Sequence, residues 1–343
     1  MVATPSVTPF VLRTALVGAG AGGGPSAAAG PHGVYALSGG DDGAAPTAAS
    51  YGEALDRLAE VEGISIVAAP GASYLPDNTP AVLTNARAIR DQLVTHVEAD
   101  TRYRIAVLDV PQDRTVEEAR AWRGEMDSKY AALYHPWLVV ANPLTRPGDA
   151  TIPTELVVPP SGHLCGIYAR NDGERGVHKA PANEVVRGVV RFAQSINHAQ
   201  QELLNPDGIN CLRAFTGRGQ RVWGARLASS DNEWRYVSDR RYFNYLEASI
   251  DRGTQWAVFE PNGDALWADV EQSISEFLYN EWRSGALLGK NPNQAYTVRC
   301  DRSVMTQNDL DNGRMICEIG VAIVKPAEFV IFRIGQKTID ANN

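Results

Sequence analysis

Residues 207–263 are the most constraining stretch of this chain, because tryptophans and arginines are interspersed there with turn-forming glycines. The stretch holds three of the seven tryptophans and no nucleophile–base pair. Arginine offers a planar fork of donors that suits fixed ion pairs within and between subunits. We therefore predict a rigid structural core motif built on Arg218, Trp223, Arg226, Trp234, Arg235, Arg240 and Arg241. The alternative, solvated surface arginines on an ordinary α/β domain, stays open on residue chemistry alone.

The same stretch predicts a strand, a turn, a second strand and a helix. Ile209–Phe215 alternates apolar and polar residues loosely, as a half-buried strand does. The glycines of the segment TGRGQ supply turn conformations closed to other residues, and the second strand is predicted over 222–226. Helical spacing follows through 242–250, and a short apolar strand over 255–259 is stopped by Pro-Asn-Gly.

The first half of the chain alternates helical and strand patterns. Amphipathic helices are predicted over 50–61, 79–99 and 115–126, and buried strands over 64–69, 103–109 and 138–140. Thr47 or Ser50 fits the N-cap of the first helix. This order predicts the α/β (α+β) class, with a mixed sheet and helices on its faces.

The rest of the chain is predicted to be more varied. A Pro-rich crossing between lobes is predicted over 151–160, a tight charged loop over 172–176, and a helical pattern over 184–204. The clearest helix covers 264–286, where an apolar stripe is formed by Trp267, Val270, Ile274, Phe277, Leu278 and Trp282. Strands are predicted over 296–300, 315–324 and 327–334, the last two as a hairpin or as neighbours.

The N-terminal segment, 1–46, is rich in glycine, alanine and proline. Gly18, Gly20 and Gly23 match the GxGxxG spacing of dinucleotide sites, which need a helix to begin at once so that its N-terminus faces the pyrophosphate. Pro25 and the following Gly-Pro-His-Gly run forbid that helix. A linker or loop is therefore favoured, and no cofactor is predicted.

Bulk properties exclude several classes of protein. The net charge of −8 disfavours nucleic-acid binding, and no apolar run reaches the roughly 18 residues of a membrane span. The N-terminus shows no Sec-type signal. Four widely spaced cysteines predict free thiols and folding in the cytoplasm, and the six histidines lack metal-ligand spacing, so no metal site is predicted.

Asp109 raises the one enzymatic alternative. It ends a predicted strand, where α/β enzymes place catalytic carboxylates, and Asp113 follows closely. No partner histidine or second acidic motif accompanies it, so a capping role at the next turn is favoured. The alternative is an α/β enzyme that acts on a small molecule at these strand ends.

Five segments carry a resemblance to a known family. They are PPSGHLCGIYARNDGERGVHKAPAN, GRGQRVWGAR, EWRYVSDRRYFNYLEASIDRGTQWAVFEPN, WRSGALLG and KPAEFVIFRIGQ, and the likeness runs in order from about Gly39 to Gln336. No single segment is diagnostic, but the ordered set resembles the tail sheath proteins of contractile phages, R-type pyocins and phage-tail-like extracellular injection systems.

The resemblance implies a structural subunit without catalytic residues, which polymerises around an inner tube and contracts to drive it through a target envelope. It implies four parts: the segment 1–46, an α/β sheath domain over 47–204, a C-terminal sheath domain over 205–335, and a tail over 336–343. The sheet of the C-terminal domain would be completed by neighbouring subunits' arms, here through Phe329, Ile331, Arg333 and Ile334. The usual N-terminal arm start, Pro-Gly-Val-Tyr, is not found; residues 7–17 take its place or the chain is shortened.

The implied partners are further copies in hexameric rings or a helix, the inner tube, the baseplate and a terminal cap. By position, the helix of 264–288 faces the tube, with contacts through Glu276, Asn280, Arg283 and Lys290. Assembly in the bacterial cytoplasm, as part of a phage tail or tail-like particle, is expected. The sequence does not separate these two origins.

Overall fold

A computed structural model describes residues 46–75, 79–99, 103–148 and 150–328. Its central feature is a five-stranded mixed sheet with the strand order β1–β2–β3–β7–β8. The strands are β1 (Ile66–Ala68), β2 (Ile105–Asp109), β3 (Ala131–His135), β7 (Ile209–Phe215) and β8 (Gly219–Val222). The first four pair in parallel, and β8 is antiparallel to β7. Every residue of β2 and β3 is buried, as expected for central strands covered on both faces.

Three helices cover one face of this sheet: α1 (Ala48–Ala59), α2 (Pro80–Glu98) and α3 (Val116–Gly124). Each begins at a threonine whose hydroxyl accepts a backbone N–H of the first turn, namely Thr47, Thr79 and Thr115. In α3, the Glu118 side chain also accepts the N–H of Thr115, which completes a capping box. The predicted N-cap at Thr47 is thus present, and the predicted helices lie within two residues of their observed ends.

The other face is covered by α4 (Ser161–Arg175) and a three-stranded antiparallel sheet in the order β5–β4–β6. Its strands are β4 (Leu138–Ala141), β5 (Glu155–Val158) and β6 (Val189–Phe192). The short helix α5 (His198–Leu204) then leads into β7, and Asn197 caps it together with Gln200.

A third core forms in the C-terminal part between α6 (Val237–Thr254) and α7 (Asp264–Arg283). Further residues of this core come from the segment that follows α7. Its elements are α8 (Pro292–Ala295), β9 (Tyr296–Arg299), α9 (Gln307–Asp311) and β10 (Glu318–Val321), and the loops between them also contribute. Strands β9 and β10 form a separate antiparallel pair, extended by an isolated bridge between Leu287 and Ile323. The class predicted from sequence, α/β with a mixed sheet and flanking helices, is confirmed.

The structure adds to or differs from four local predictions in the middle of the chain. The predicted charged loop over 172–176 is the last turn of α4, because the helix extends until Gly176 ends it with a φ of 89°. The helical pattern over 184–204 is β6 followed by α5, since β6 pairs with β4. The segment 151–160, predicted as a crossing between lobes, contains β5. The second strand predicted within 207–263 was placed at 222–226, whereas the observed strand, β8, ends at Val222.

Two further differences have clear physical causes. The predicted strand over 255–259 is a 3₁₀ helix, Gln255–Ala257, followed by a turn in which Phe259 has a φ of 69° and is fully exposed. Strand β3 was missed because its Ala-Ala-Leu-Tyr-His sequence shows neither alternation nor flanking β-branched residues. The predicted strand over 315–324 contains β10, which pairs with β9, and the strand over 327–334 lies almost wholly outside the described residues.

The predicted division of the chain stays a prediction. The boundary at 204/205 falls between α5 and β7, although β7 belongs to the same sheet as β1, β2 and β3. The segment 1–46, apart from Pro46, and the tail 336–343 lie outside the described residues.

Candidate functional site

The outer face of α7 is the first candidate surface. The inner side buries Leu266, Trp267, Val270, Ile274 and Leu278 in the third core. Glu276, Asn280 and Arg283 are exposed on the helix at steps of four and three residues, so they share one face. Lys290 is exposed beyond the helix end, after the turn at Gly285. Within the described part of the chain, Glu276, Arg283 and Lys290 form no ion pair.

Polar contacts on the other side of α7 fix its orientation. Glu281 accepts hydrogen bonds from the hydroxyls of Tyr242 (2.9 Å) and Tyr245 (3.1 Å) on α6. Trp267 donates its indole N–H to the Asn262 side chain at 2.7 Å. Burial, followed by the charge of Glu281, raises the pKa of both tyrosines, so their hydroxyls remain donors. These contacts hold α7 in one rotation about its axis. Sequence reasoning missed Glu281, because nothing in its spacing distinguishes it from Glu276.

Two of the predicted core arginines, Arg240 and Arg241, are buried in α6 and connect this helix to residues of the central domain region. Arg240 lies over the ring of Trp234 at 4.3 Å and over that of Tyr130 at 4.8 Å. Its guanidinium donates to both carboxylate oxygens of Glu247 at 2.8 Å. Arg241 donates to Asp172 in the last turn of α4 and lies over the ring of Tyr168 at 4.8 Å. Both arginine side chains are 3–4% exposed, so the solvated alternative does not describe them.

The other motif residues are more varied. Arg218 is exposed and lies over the rings of Phe215 and Trp223, beside the turn that joins β7 to β8. Arg235 donates to the nearby Asn232 at the surface. Arg226 is partly buried and donates to Glu328, 102 residues further along the chain. Together with the arginines of α6, the motif is therefore spread over four places rather than gathered in one cluster.

Asp109 caps a helix. Its carboxylate accepts the backbone N–H of Ser161 at 2.7 Å and the Ser161 hydroxyl at 2.6 Å, at the first turn of α4. Burial raises the pKa of Asp109 to about 7, although hydrogen bonds from Ser161 and Ser73 oppose the rise. This is the capping alternative that the sequence left open, with the cap serving α4 rather than the adjacent turn.

No metal or membrane feature emerges from the described residues. Across 46–75, 79–99, 103–148 and 150–328, no group of three or more His, Cys, Asp or Glu side chains is arranged to hold a metal ion. The helices of these ranges are all too short or too polar to span a bilayer. The four cysteines are free, and the thiols of Cys300 and Cys317 lie close enough together that each shifts the pKa of the other.

The β9–β10 pair is the second candidate surface. Glu318, Ile319 and Gly320 of β10 are exposed, and no other described strand pairs with either β9 or β10. A two-stranded sheet of this kind leaves backbone donors and acceptors open along its edges. The predicted inter-subunit strand residues Phe329, Ile331, Arg333 and Ile334 lie outside the described residues.

Comparison with known proteins decides the family. The profile of the phage tail sheath protein central domain matches residues 44–226, and that of the phage tail sheath C-terminal domain matches residues 229–337. The chain belongs to the phage tail sheath family. Its enzymatic alternative at Asp109 is therefore not supported.

Three similar proteins illustrate the family. A prophage major tail sheath protein of Pseudomonas aeruginosa (strain UCBPP-PA14) is 26% identical over 236 residues, which cover 67% of this sheath chain and 57% of that protein. The contracted helical sheath of the anti-feeding prophage has a TM-score of 0.70 at 33% identity, with 88% of this chain and 77% of that one covered. The anti-feeding prophage baseplate, six-fold symmetrised, contains a chain with a TM-score of 0.70 at 32% identity. The match covers 98% of this chain and 83% of that one. The sheath chain spans about half the length, or less, of the curated relatives that it matches.

Proposed function

We propose that this chain is the structural subunit of a contractile sheath, which polymerises around an inner tube and contracts to drive the tube through a target envelope. The observation that carries the proposal is the match of both sheath domains in order, together with the close likeness to a contracted helical sheath. Assembly begins in the bacterial cytoplasm, and the subunit becomes part of a phage tail or tail-like particle. The subunits form six-membered rings on a baseplate and end at a terminal cap, and the six-fold baseplate relative supports the ring and the baseplate.

Contact with the inner tube is assigned in this proposal to Glu276, Asn280, Arg283 and Lys290. All four are exposed, three of them on a helix that is fixed on its opposite side and Lys290 just beyond it, and this supports the assignment. Contraction must break every tube contact, which disfavours a large apolar interface. Exposed ion pairs contribute roughly 0.2–1 kcal/mol each, so many weak pairs hold the extended state together and release together.

Neighbouring subunits are tied in this proposal by the C-terminal arm. Residues 329–339, including Phe329, Ile331, Arg333 and Ile334, add a strand to the β9–β10 pair of a neighbour. The exposed β10 backbone supports this step, because β-augmentation uses main-chain hydrogen bonds and tolerates rotation of the joined bodies. The tie then survives when the subunits rotate during contraction.

Electron microscopy of the purified chain tests the proposal as a whole. A sheath subunit gives tubes or megadalton rings in negative stain and elutes near the void volume of a sizing column. A small, uniform oligomer with no tubes would contradict the function.

Charge reversal tests the tube contact separately. Arg283→Glu with Lys290→Glu should give mostly contracted or empty sheaths when the tube protein is present. A matched control is Arg57→Glu with Arg146→Glu, which reverses two exposed arginines of the 44–226 region and changes the net charge equally. If the α7 variant gives the same fraction of extended, tube-filled particles as the unaltered chain, these two residues do not contact the tube.

A further inference from the structure

Glu328, the last described residue, is held by a cluster of donors that sequence reasoning did not foresee. Its carboxylate accepts from the Arg226 guanidinium at 2.8 and 2.7 Å, from the Asn205 amide at 2.7 Å and from the Tyr236 hydroxyl at 3.1 Å. The side chains of Glu328 and Arg226 are 18% and 12% exposed. Burial alone would raise the pKa of Glu328, but the bonds from Arg226, Asn205 and Tyr236 hold that pKa below its usual value. The carboxylate is therefore charged at neutral pH and bonded on both oxygens.

The three donors come from distant parts of the chain. Asn205 ends α5, Arg226 follows β8, and Tyr236 precedes α6, with sequence separations from Glu328 of 123, 102 and 92 residues. The cluster therefore joins the end of the C-terminal domain region to the central domain region.

Arg226 is itself fixed to the five-stranded sheet. Its backbone N–H donates to the Asn210 side chain at 2.6 Å, and the Asn210 amide donates to the carbonyls of Arg226 (2.7 Å) and Leu133 (3.1 Å). Asn210 is fully buried in β7. Glu328 is thus bonded to a residue that cannot move without breaking the central sheet.

The segment before Glu328 leaves the β9–β10 pair after Ile323. Its last backbone pairing with the C-terminal part is at Ala322 and Ile323, against Leu288, Ala295 and Leu287. Residues 324–328 then line one side of a cavity of about 990 Å³. Lys325 lies close enough to Asp239 to lower the pKa of that carboxyl, against the larger effect of burial. Among these five residues, Glu328 is the one whose side chain is hydrogen-bonded to the rest of the described chain.

We propose that Glu328 is a positioning residue for the C-terminal arm: its bonds to Arg226, Asn205 and Tyr236 fix the point from which residues 329–343 leave the subunit. The inference rests on the proposed exchange of that arm between neighbours. Without these bonds, residues 324–328 are no longer held against the subunit. The point from which the arm starts can then move by up to roughly 17 Å, the length of five extended residues. Slack lowers the effective concentration of a tethered segment at its binding site, so assembly requires more protein.

The experiment compares Glu328→Gln with the unaltered full chain in three measurements. Hydroxyl-radical labelling of the Val324 and Pro326 side chains, which are half-buried, should be severalfold faster in the unassembled subunit, because the charge-assisted bonds that hold the segment are lost. The subunit concentration at which sheaths first form should rise about tenfold, and sheaths formed above it should reach normal length. Thermal unfolding should remain a single cooperative transition. Glu155→Gln is the control, since it breaks the exposed Arg191–Glu155 pair, whose side chains are 58% and 38% exposed, and should change none of the three.

Loss of one charge could unfold the subunit, because the partly buried Arg226 would lose its charged partner. Glu328→Asp covers that case, since it keeps the charge but withdraws the carboxylate by one methylene, and it should give the same changes at smaller size. Faster labelling with an unchanged assembly concentration would overturn the positioning role, and unchanged labelling would overturn the anchor itself. If the unaltered chain forms no sheaths at all, the proposed function fails, whereas the labelling data still decide whether Glu328 holds this segment.

Discussion

Arg241 of α6 and Asp172 of α4 form an ion pair that crosses between the two sheath domain regions. The guanidinium donates from two nitrogens to the two carboxylate oxygens, one bond being 2.9 Å long, and the Arg241 side chain is 4% exposed. The two residues are 69 positions apart, and the pair stands beside the Tyr168 ring in the second core. Because the fork is rigid, the contact fixes both the distance and the angle between the two helices.

Asp172→Ala should lower the free energy of unfolding by about 3 kcal/mol, because Arg241 would keep its charge in a buried place without a partner. Urea unfolding of the full chain measures the loss. Glu155→Ala, which removes an exposed partner of Arg191, should cost less than about 1 kcal/mol. Equal losses for the two variants would mean that the buried pair contributes no more than a surface pair.

Because Asp109 has a raised pKa in the folded chain, the free energy of unfolding should fall as the pH rises toward 7. Its pKa is raised to about 7 in the folded chain from 3.8, so between these values the folded state binds more protons than the unfolded state. The free energy of unfolding should then fall by up to about 1.4 kcal/mol for each pH unit from roughly pH 4 to pH 7 through this residue. Asp239, whose pKa burial raises to about 6, contributes in the same direction.

Asp109→Asn isolates this effect. The amide oxygen can still accept the Ser161 N–H, while the charge is removed. The difference in unfolding free energy between the variant and the unaltered chain should grow in favour of the variant from pH 5 to pH 8. A constant difference across that range would show that Asp109 titrates at its ordinary pKa.

Much of the fold follows from local patterns in the sequence, and the errors have a common origin. The helices with clear periodicity and a threonine cap, such as α2, were predicted to within one residue. By contrast, α4 was not predicted, because contacts with distant residues stabilise both of its ends. Asp109 accepts the Ser161 N–H at its first turn, and Arg241 pairs with Asp172 in its last turn. The family resemblance indicated the α7 face, but the Glu328 cluster joins residues more than 90 positions apart and no local pattern announces it.

Phe259 offers a test of backbone strain. It has a φ of 69°, in the region that favours glycine, and its side chain is fully exposed, so few contacts are lost on truncation. Phe259→Gly should therefore raise the free energy of unfolding by about 0.5–1 kcal/mol, since the left-handed conformation costs an ordinary residue roughly 1–2 kcal/mol and glycine loses more entropy on folding. Leu144→Gly, at an exposed site outside the left-handed region, should lower it instead. A loss in both variants would show that the Phe259 ring stabilises the turn.

Cys300 and Cys317 should form a disulfide when a small-molecule disulfide is supplied. They follow the pair Arg299–Glu318 in the antiparallel register of β9 and β10, and each thiol lies close enough to shift the pKa of the other. Directly opposed residues in such pairs have Cα atoms about 4.5–5.5 Å apart, within the range that a disulfide spans. With oxidised glutathione, one thiolate would form a mixed disulfide and release one glutathione, and the second thiolate would then displace the other.

The rate of this reaction should rise with pH. Burial, together with the neighbouring thiol, raises the pKa of Cys317 to about 12, and burial raises that of Cys300, so thiolate is scarce at neutral pH. Peptide mapping without reduction should find the Cys300–Cys317 link sooner at pH 9 than at pH 7, with Cys165 and Cys211 still free. The oxidised chain should also unfold at a higher temperature than the reduced one, because the link closes a loop in the unfolded state. Cys317→Ser, treated identically, should show neither the link nor the shift, and a mixture of other pairings in the unaltered chain would contradict the register of β9 and β10.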